Sequence, residues 1–231
     1  RQIQGDPQSM PSNYVQAVHV DRLNRIWVGI EGYGVYRFDP DRETFTRLDL
    51  LPGNAGSVLD IWAISSDRQG SVWFGSFGQG LFRLKPDGKV RQYLPKQGVA
   101  GLPDENVLSL AQDKRGRLWI ATSSGIVQWQ DERFIAFNNE ALVSKVVITL
   151  MPDSDASMWL GTQAGLDHAL PDGRIEHPAW NQQLSDPRIM AVLAEPDGAR
   201  WFVARSGLNR LSQGKIDQFS GSEKFIRAFQ D

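Results

Sequence analysis

The sequence predicts an all-β fold, a β-propeller of four-stranded antiparallel blades. Three observations carry that prediction. Five Trp residues (Trp27, Trp73, Trp119, Trp159 and Trp201) recur at steps of 46, 46, 40 and 42 residues. Similar words surround each of them, such as Arg25-Ile26-Trp27-Val28-Gly29 and Ser157-Met158-Trp159-Leu160-Gly161. A fixed period of about 40–45 residues is the mark of a repeat architecture. Within each period, four short apolar runs alternate with turn residues, and none has the 3.6-residue period of a helix.

The first run of each unit carries three regular columns. They are Val15, Ile61, Val107, Val147 and Ile189; then Ala17, Ala63, Ser109, Thr149 and Ala191; then Val18, Ile64, Leu110, Leu150 and Val192. The middle column is small, as an innermost strand requires where several sheets converge on one axis. A turn follows. Asp21, Asp67, Asp113, Asp153 or Glu195 stands six residues before each Trp, and Asn24, Gly70, Gly116, Ala156 or Gly198 stands three before. Such a pair reads as a hairpin: the carboxylate bonds nearby backbone and Gly or Asn accepts positive φ. The second run holds the Trp, and the Trp column reads as core packing, since large aromatics bury much apolar area. The third run follows a Gly, as in Gly34-Val35-Tyr36 and Gly80-Leu81-Phe82. The fourth follows a polar turn such as Pro86-Asp87-Gly88-Lys89. Four strands per unit make a propeller blade.

Counted this way there are five complete blades, at about 12–50, 56–95, 102–139, 142–180 and 184–220. Partial repeats are expected at both ends. Arg1–Gln4 match an outermost strand and residues 225–231 an innermost one. These do not complete each other, so the chain reads as a segment of a longer ring of about seven blades. A closed five-bladed ring is the competing expectation, because an open arc leaves sheet faces unpacked.

Composition narrows the function classes. The formal net charge is −2, which offers no overall pull toward nucleic acid. No apolar run approaches the ~18 residues of a membrane span, so any membrane attachment is expected through a segment outside this sequence. There is no cysteine. The opening Arg1-Gln2-Ile3-Gln4 lacks an initiating Met and reads as a trimmed start.

The motif Asp-x-x-Gly-x-Leu-Trp-Ile-Gly-Thr-x-x-Gly-Leu is best preserved over residues 113–126 and 158–166. It resembles the two-component regulator propeller repeat. Gly101-Leu102-Pro103-Asp104-Glu105-Asn106-Val107 resembles that family's link between blades. Departures are Ala121 and Val203 at the Gly of the Trp strand, Ala156 at the turn, and an atypical Gly165-Leu166-Asp167-His168. The resemblance implies an extracytoplasmic, periplasmic sensor region of a bacterial membrane signalling protein. In such proteins a histidine kinase or diguanylate cyclase module supplies the output. It further implies an oligosaccharide or other small-molecule ligand, and a homodimer in the full-length receptor.

Catalytic residues, cofactors and metals are not expected. Gly75-Ser76-Phe77-Gly78-Gln79-Gly80 mimics a phosphate loop but opens no helix. Asp153-Ser154-Asp155 supplies too few ligands for calcium. His19, His168 and His177 have no metal-ligand spacing. The residues that break the repeat are better candidates for ligand binding. Glu31, Tyr33 and Phe77 lie in the longer loops after the Trp strand, and Trp62 stands in an irregular column of the first strand. Tyr14, Lys145, Arg188 and Arg205 fall at equivalent mouth positions. A scaffold propeller that binds protein partners is the main alternative, and a lyase or hydrolase the third.

Overall fold

The chain forms five four-stranded antiparallel sheets in a computed structural model that describes residues 2, 5–6, 8–52, 58–95 and 101–219. The first blade holds β1 (Val15–Val20), β2 (Ile26–Ile30), β3 (Gly34–Asp39) and β4 (Thr44–Leu48). The second holds β5 (Asp60–Ser66), β6 (Val72–Phe77), β7 (Leu81–Leu84) and β8 (Val90–Tyr93). The third holds β9 (Val107–Gln112), β10 (Leu118–Thr122), β11 (Gly125–Gln130) and β12 (Arg133–Ala136). The fourth holds β13 (Val147–Pro152), β14 (Met158–Thr162), β15 (Gly165–Ala169) and β16 (Ile175–Glu176). The fifth holds β17 (Ile189–Ala194), β18 (Arg200–Ala204), β19 (Gly207–Ser212) and β20 (Lys215–Phe219). Spatial order equals chain order in every sheet, so each blade is a simple meander. The expected all-β propeller of four-stranded blades is therefore the observed fold. The partial repeats expected at 1–4 and 225–231 lie outside the described residues, except Gln2, which bonds Asn13 and Pro11.

The hairpin between the first two strands of each blade is built as its residues require. The position three before the Trp has positive φ in all five blades: 56° at Asn24, 83° at Gly70, 85° at Gly116, 70° at Ala156 and 90° at Gly198. The turn carboxylates accept backbone N–H groups, as Asp113 does from Arg115 and Arg117. They also reach the Trp column. The indole Nε1 donates to Asp21 at 2.8 Å, Asp67 at 2.8 Å, Asp113 at 2.9 Å, Asp153 at 3.1 Å and Glu195 at 2.9 Å. A buried indole N–H requires an acceptor, and the turn six residues upstream supplies it.

A guanidinium covers each of these pairs from above the indole ring. Arg25, Arg83, Arg117, Arg200 and Arg210 lie 5.3, 4.9, 5.5, 5.3 and 5.7 Å from the ring centroids of Trp27, Trp73, Trp119, Trp159 and Trp201. Arg25 and Arg117 come from two residues before the Trp. Arg83 and Arg210 come from the third strand, directly opposite it. Arg200 comes from the following blade. The cation is thus present in all five blades although no single column encodes it.

The first four blades stack by placing their Trp on the next sheet. Trp27 meets Phe74 edge-on at 5.6 Å and joins a cluster with Ile61, Val72 and Phe82 of the second blade. Trp73, Trp119 and Trp159 enter equivalent clusters with the third, fourth and fifth blades. The Gly beside the Trp permits this approach. A Cβ at Gly29 would stand 2.7 Å from the Ile61 carbonyl oxygen, and one at Gly75 would stand 2.5 Å from Val107 Cγ1.

The five blades form an open arc. The innermost strands pack in the order β1, β5, β9, β13, β17, and among the described residues no comparable contact joins β17 to β1. Both outer faces are uncovered among the described residues. Val18 is 63% exposed where its counterpart Val192 is 7%, and Leu193 is 59% exposed where its counterpart Met151 is 8%. The competing expectation of a closed five-bladed ring is therefore not what these blades form. Val203, a departure at the Gly column, sits on the fifth blade, where among the described residues no following strand packs against it.

Candidate functional site

One structural device gathers the expected site residues at a single end of the arc. In four blades the loop after the second strand bonds back to the residue just ahead of the first. Glu31 N–H donates to the Tyr14 carbonyl at 3.0 Å, Ser123 to Asn106 at 3.2 Å, Gln163 to Val146 at 3.1 Å and Arg205 to Arg188 at 3.1 Å. Tyr14 is thereby placed beside Glu31, and Arg188 beside Arg205. The second blade has a different link: Asp60 pairs with Phe77 across β5 and β6, and its carboxylate accepts the Gly32 N–H of the first blade at 2.6 Å. That bond ties the first blade's loop to the start of β5 in the second. Tyr33 stands in the first of them, its N–H on the Ile30 carbonyl. Lys145 lies at this end too, with its ammonium 2.6 Å from Glu140.

The irregular column of the first strand has a structural cause. In every blade the ladder between the first and second strands shifts register at this point, so one residue is extra. The extra residues are Gln16, Trp62, Leu108, Ile148 and Met190. A bulge leaves its residue outside the paired ladder and re-aims the side chain. Because the first strand is the innermost, the five bulges recur along the edge that borders the axis. Trp62 is 45% exposed and stacks on Phe77, with ring centroids 5.2 Å apart and planes at 23°. The pair presents a flat apolar platform to solvent, a surface suited to the C–H face of a sugar ring.

The eight expected residues form blade-by-blade groups rather than one cluster: Tyr14 with Glu31 and Tyr33, Trp62 with Phe77, Lys145 with Glu140, and Arg188 with Arg205. All are exposed. Together they make a rim of aromatic and cationic side chains on rigid strand ends, which is where binding residues are commonly held.

Sequence reasoning missed the opposite end. A cavity of about 520 Å³ is bordered there by the turns between the first and second strands of all five blades. Arg22, Arg68 and Lys114 line it, each immediately after its turn Asp. The signal in the sequence is the column after the turn acid, which is basic in three successive blades.

The three histidines are held by structural partners. His19 Nε2 lies 3.0 Å from Ser66 Oγ, and burial lowers its pKa. His168 stacks on Trp159 at 4.2 Å and bonds Ser157, and burial lowers its pKa as well. His177 Nδ1 lies 2.6 Å from Asp167 Oδ1. Asp167 is fully buried on β15, and burial pushes its carboxyl up, against the opposing bonds from Val143 N–H and His177. Asn209 does equivalent work one blade later, accepting the Ser185 N–H at 2.8 Å. The atypical Asp167-His168 word of the fourth blade is therefore a variant of a loop anchor.

Comparison with known proteins agrees with this architecture. Residues 101–124, the third blade's link, first two strands and turn, match the family model described as two component regulator propeller. A comparison with curated protein sequences gives no match. Among solved structures, the chain is similar to an extracellular domain ascribed to the hybrid two component system BT3049 of B. thetaiotaomicron. Identity is 22% and the TM-score 0.77, covering 92% of this chain and 29% of that one. A second such domain, of BT4673 from B. thetaiotaomicron, gives 21% identity and a TM-score of 0.59, covering 92% and 30%. Virginiamycin B lyase from Staphylococcus aureus gives 16% identity and a TM-score of 0.69, covering 92% and 72%. The chain thus spans under a third of the two extracellular domains, and at these identities the likeness is one of fold. With five Trp-centred blades and a matched repeat at its middle, the chain is a β-propeller that carries the two component regulator propeller repeat.

Proposed function

We propose that the chain is the sensory, ligand-binding propeller of a bacterial transmembrane signalling protein. In this reading it lies in the periplasm, binds an oligosaccharide on the rim and works as a homodimer in the full-length receptor. Its output is a histidine kinase or diguanylate cyclase module. The observation that carries the reading is the rim itself: an exposed Trp62–Phe77 platform on a bulge, flanked by Tyr14, Glu31, Tyr33, Lys145, Arg188 and Arg205. The matched repeat and the likeness to extracellular domains of two component systems support the signalling context. Ligand binding would shift the arrangement of two protomers by no more than its differential affinity for the two arrangements.

A lyase reading rests on the likeness to virginiamycin B lyase. We favour binding because all three histidines are engaged with Ser66, Trp159 and Ser157, or buried Asp167.

A thermal-shift screen with neutral and acidic oligosaccharides tests the rim. One class should raise the melting temperature of the chain, and Trp62→Ala should abolish the shift without unfolding the protein. Absence of any shift, together with a stoichiometric complex with a soluble protein, would replace this reading by the scaffold one.

A further inference from the structure

The cavity at the turn end has an electrostatic character that the rim does not share. Its lining carboxylates are already committed to partners. Asp113 accepts from Arg117 at 2.6 Å and from Trp119. Asp153 is paired with Arg200 and Trp159. Glu195 is paired with Arg210 at 2.7 Å and with Trp201. Each of these acids is thus matched by one guanidinium. Three cations remain, Arg22, Arg68 and Lys114, and among the described residues none of them has a carboxylate partner. They come from three successive blades and border one concave space, with Pro152, Ala194 and Pro196 on the side of the fourth and fifth blades.

Arg68 is held in place before any ligand arrives. Its Nη2 donates to the Lys114 carbonyl oxygen at 2.6 Å, and its Cδ lies where a side chain at Gly116 would stand, 3.2 Å from a Cβ built there. Gly116 therefore lets Arg68 lie across the next blade's turn, leaving Nη1 and Nε for other partners. A guanidinium fixed in this way loses little entropy on binding an anion and offers it a planar fork. The lining holds four cations, Arg22, Arg68, Lys114 and Arg200, against three carboxylates, Asp113, Asp153 and Glu195, and this net positive charge draws counter-ions of the opposite sign. The volume, about 520 Å³, matches a ligand of small-molecule size.

We infer that this cavity binds a small organic polyanion, a ligand carrying several carboxylate, sulfate or phosphate groups, through Arg22, Arg68 and Lys114. The site is separate from the rim and does not depend on the rim reading. It gives the propeller two ligand surfaces at opposite ends of one axis.

Calorimetric titration of the chain tests it, with citrate and inositol hexakisphosphate as carboxylate and phosphate probes and inorganic sulfate as a simple anion. At least one multivalent probe should bind more tightly than sulfate, and its affinity should fall as salt is raised. The probe that binds tells carboxylate from phosphate chemistry. The double substitution Arg22→Gln with Lys114→Gln should weaken binding by roughly tenfold or more, the loss expected from removing charge-assisted hydrogen bonds. Both side chains are exposed, so the urea midpoint should stay unchanged, which separates loss of binding from loss of fold. The rim pair Arg188→Gln with Arg205→Gln should bind the probe as the unaltered chain does. No multivalent binding at low salt, equal binding by the Arg22/Lys114 variant, or loss confined to the rim variant would each overturn the inference.

Discussion

Each Trp is held by a carboxylate six residues upstream and a guanidinium over its face. The repeat therefore fixes charges as well as apolar area. In Asp21, burial raises the carboxyl, but bonds from Trp27 and Arg25 outweigh it and leave the pKa below its ordinary value. Asp153 behaves in the same way, with burial opposed by Ser154 N–H, Trp159 and Arg200. In Glu195 the bonds from Trp201 and Arg210 lead and lower it. A carboxyl depressed in the fold contributes stability above its unfolded pKa, near 4, and loses it as pH falls through the lower folded value. Asp153→Asn should therefore cost about 1–2 kcal/mol at pH 7, as a partly exposed charged bond would. That difference should shrink as pH falls below about 4 and through the lower folded value, where Asp153 itself takes up a proton. Urea unfolding of both proteins at several pH values measures it. A gap that does not change with pH would mean that the charge contributes nothing. Asp167 has the opposite sign: its raised carboxyl is a burden above the folded pKa and is relieved in acid.

At the scale of the element, the second strand and the bulged first strand explain which words repeat and which vary. The Gly after the Trp recurs because the next blade's first strand passes over it. At Gly161 a Cβ would collide with Thr149 and stand 2.9 Å from Ile189 Cγ2. Gly75→Ala should destabilise the chain by about 1–3 kcal/mol through overpacking against Val107. Chemical denaturation detects this, and a change within error would show that β9 gives way instead. The strands, their order and the turns were legible from the recurring apolar runs and the Asp-to-Gly spacing. The bulge was not. A one-residue register shift leaves the sequence pattern of β5 intact, so Trp62 read only as an odd member of its column. Its stacking partner Phe77, which pairs with Asp60 across the ladder, was legible as a loop aromatic, but the stacking of the two rings needed the fold.

At the scale of the whole molecule, the decisive feature is an arc whose two end faces are uncovered among the described residues. Repeat proteins draw stability from interfaces between neighbouring units, so terminal faces contribute little. The pair Val18→Thr and Leu193→Gln should change the unfolding free energy by only about 0.5 kcal/mol each way. Leu150→Ala, in the covered fourth blade, should cost about 2–5 kcal/mol. Comparable losses from both would mean that the outer faces meet in solution, as in a closed five-bladed ring. The same arc brings five turns around one cavity and five bulges along the axial edge. Both arrangements draw on all five blades.

The sequence by itself determined the repeat, the four strands of each blade, the hairpin turns and the packing role of the Trp column. Each of these rests on local chemistry: alternation, positive φ at a turn, and the bulk of an indole. Only the tertiary structure decided where charge and space coincide. The guanidinium over each Trp arrives from three different sequence positions, and the cations of the turn-end cavity come from three blades about 46 residues apart. Columns in an alignment record what every blade shares. A site at the axis is assembled from what different blades contribute to a common space, and that depends on the curvature of the arc.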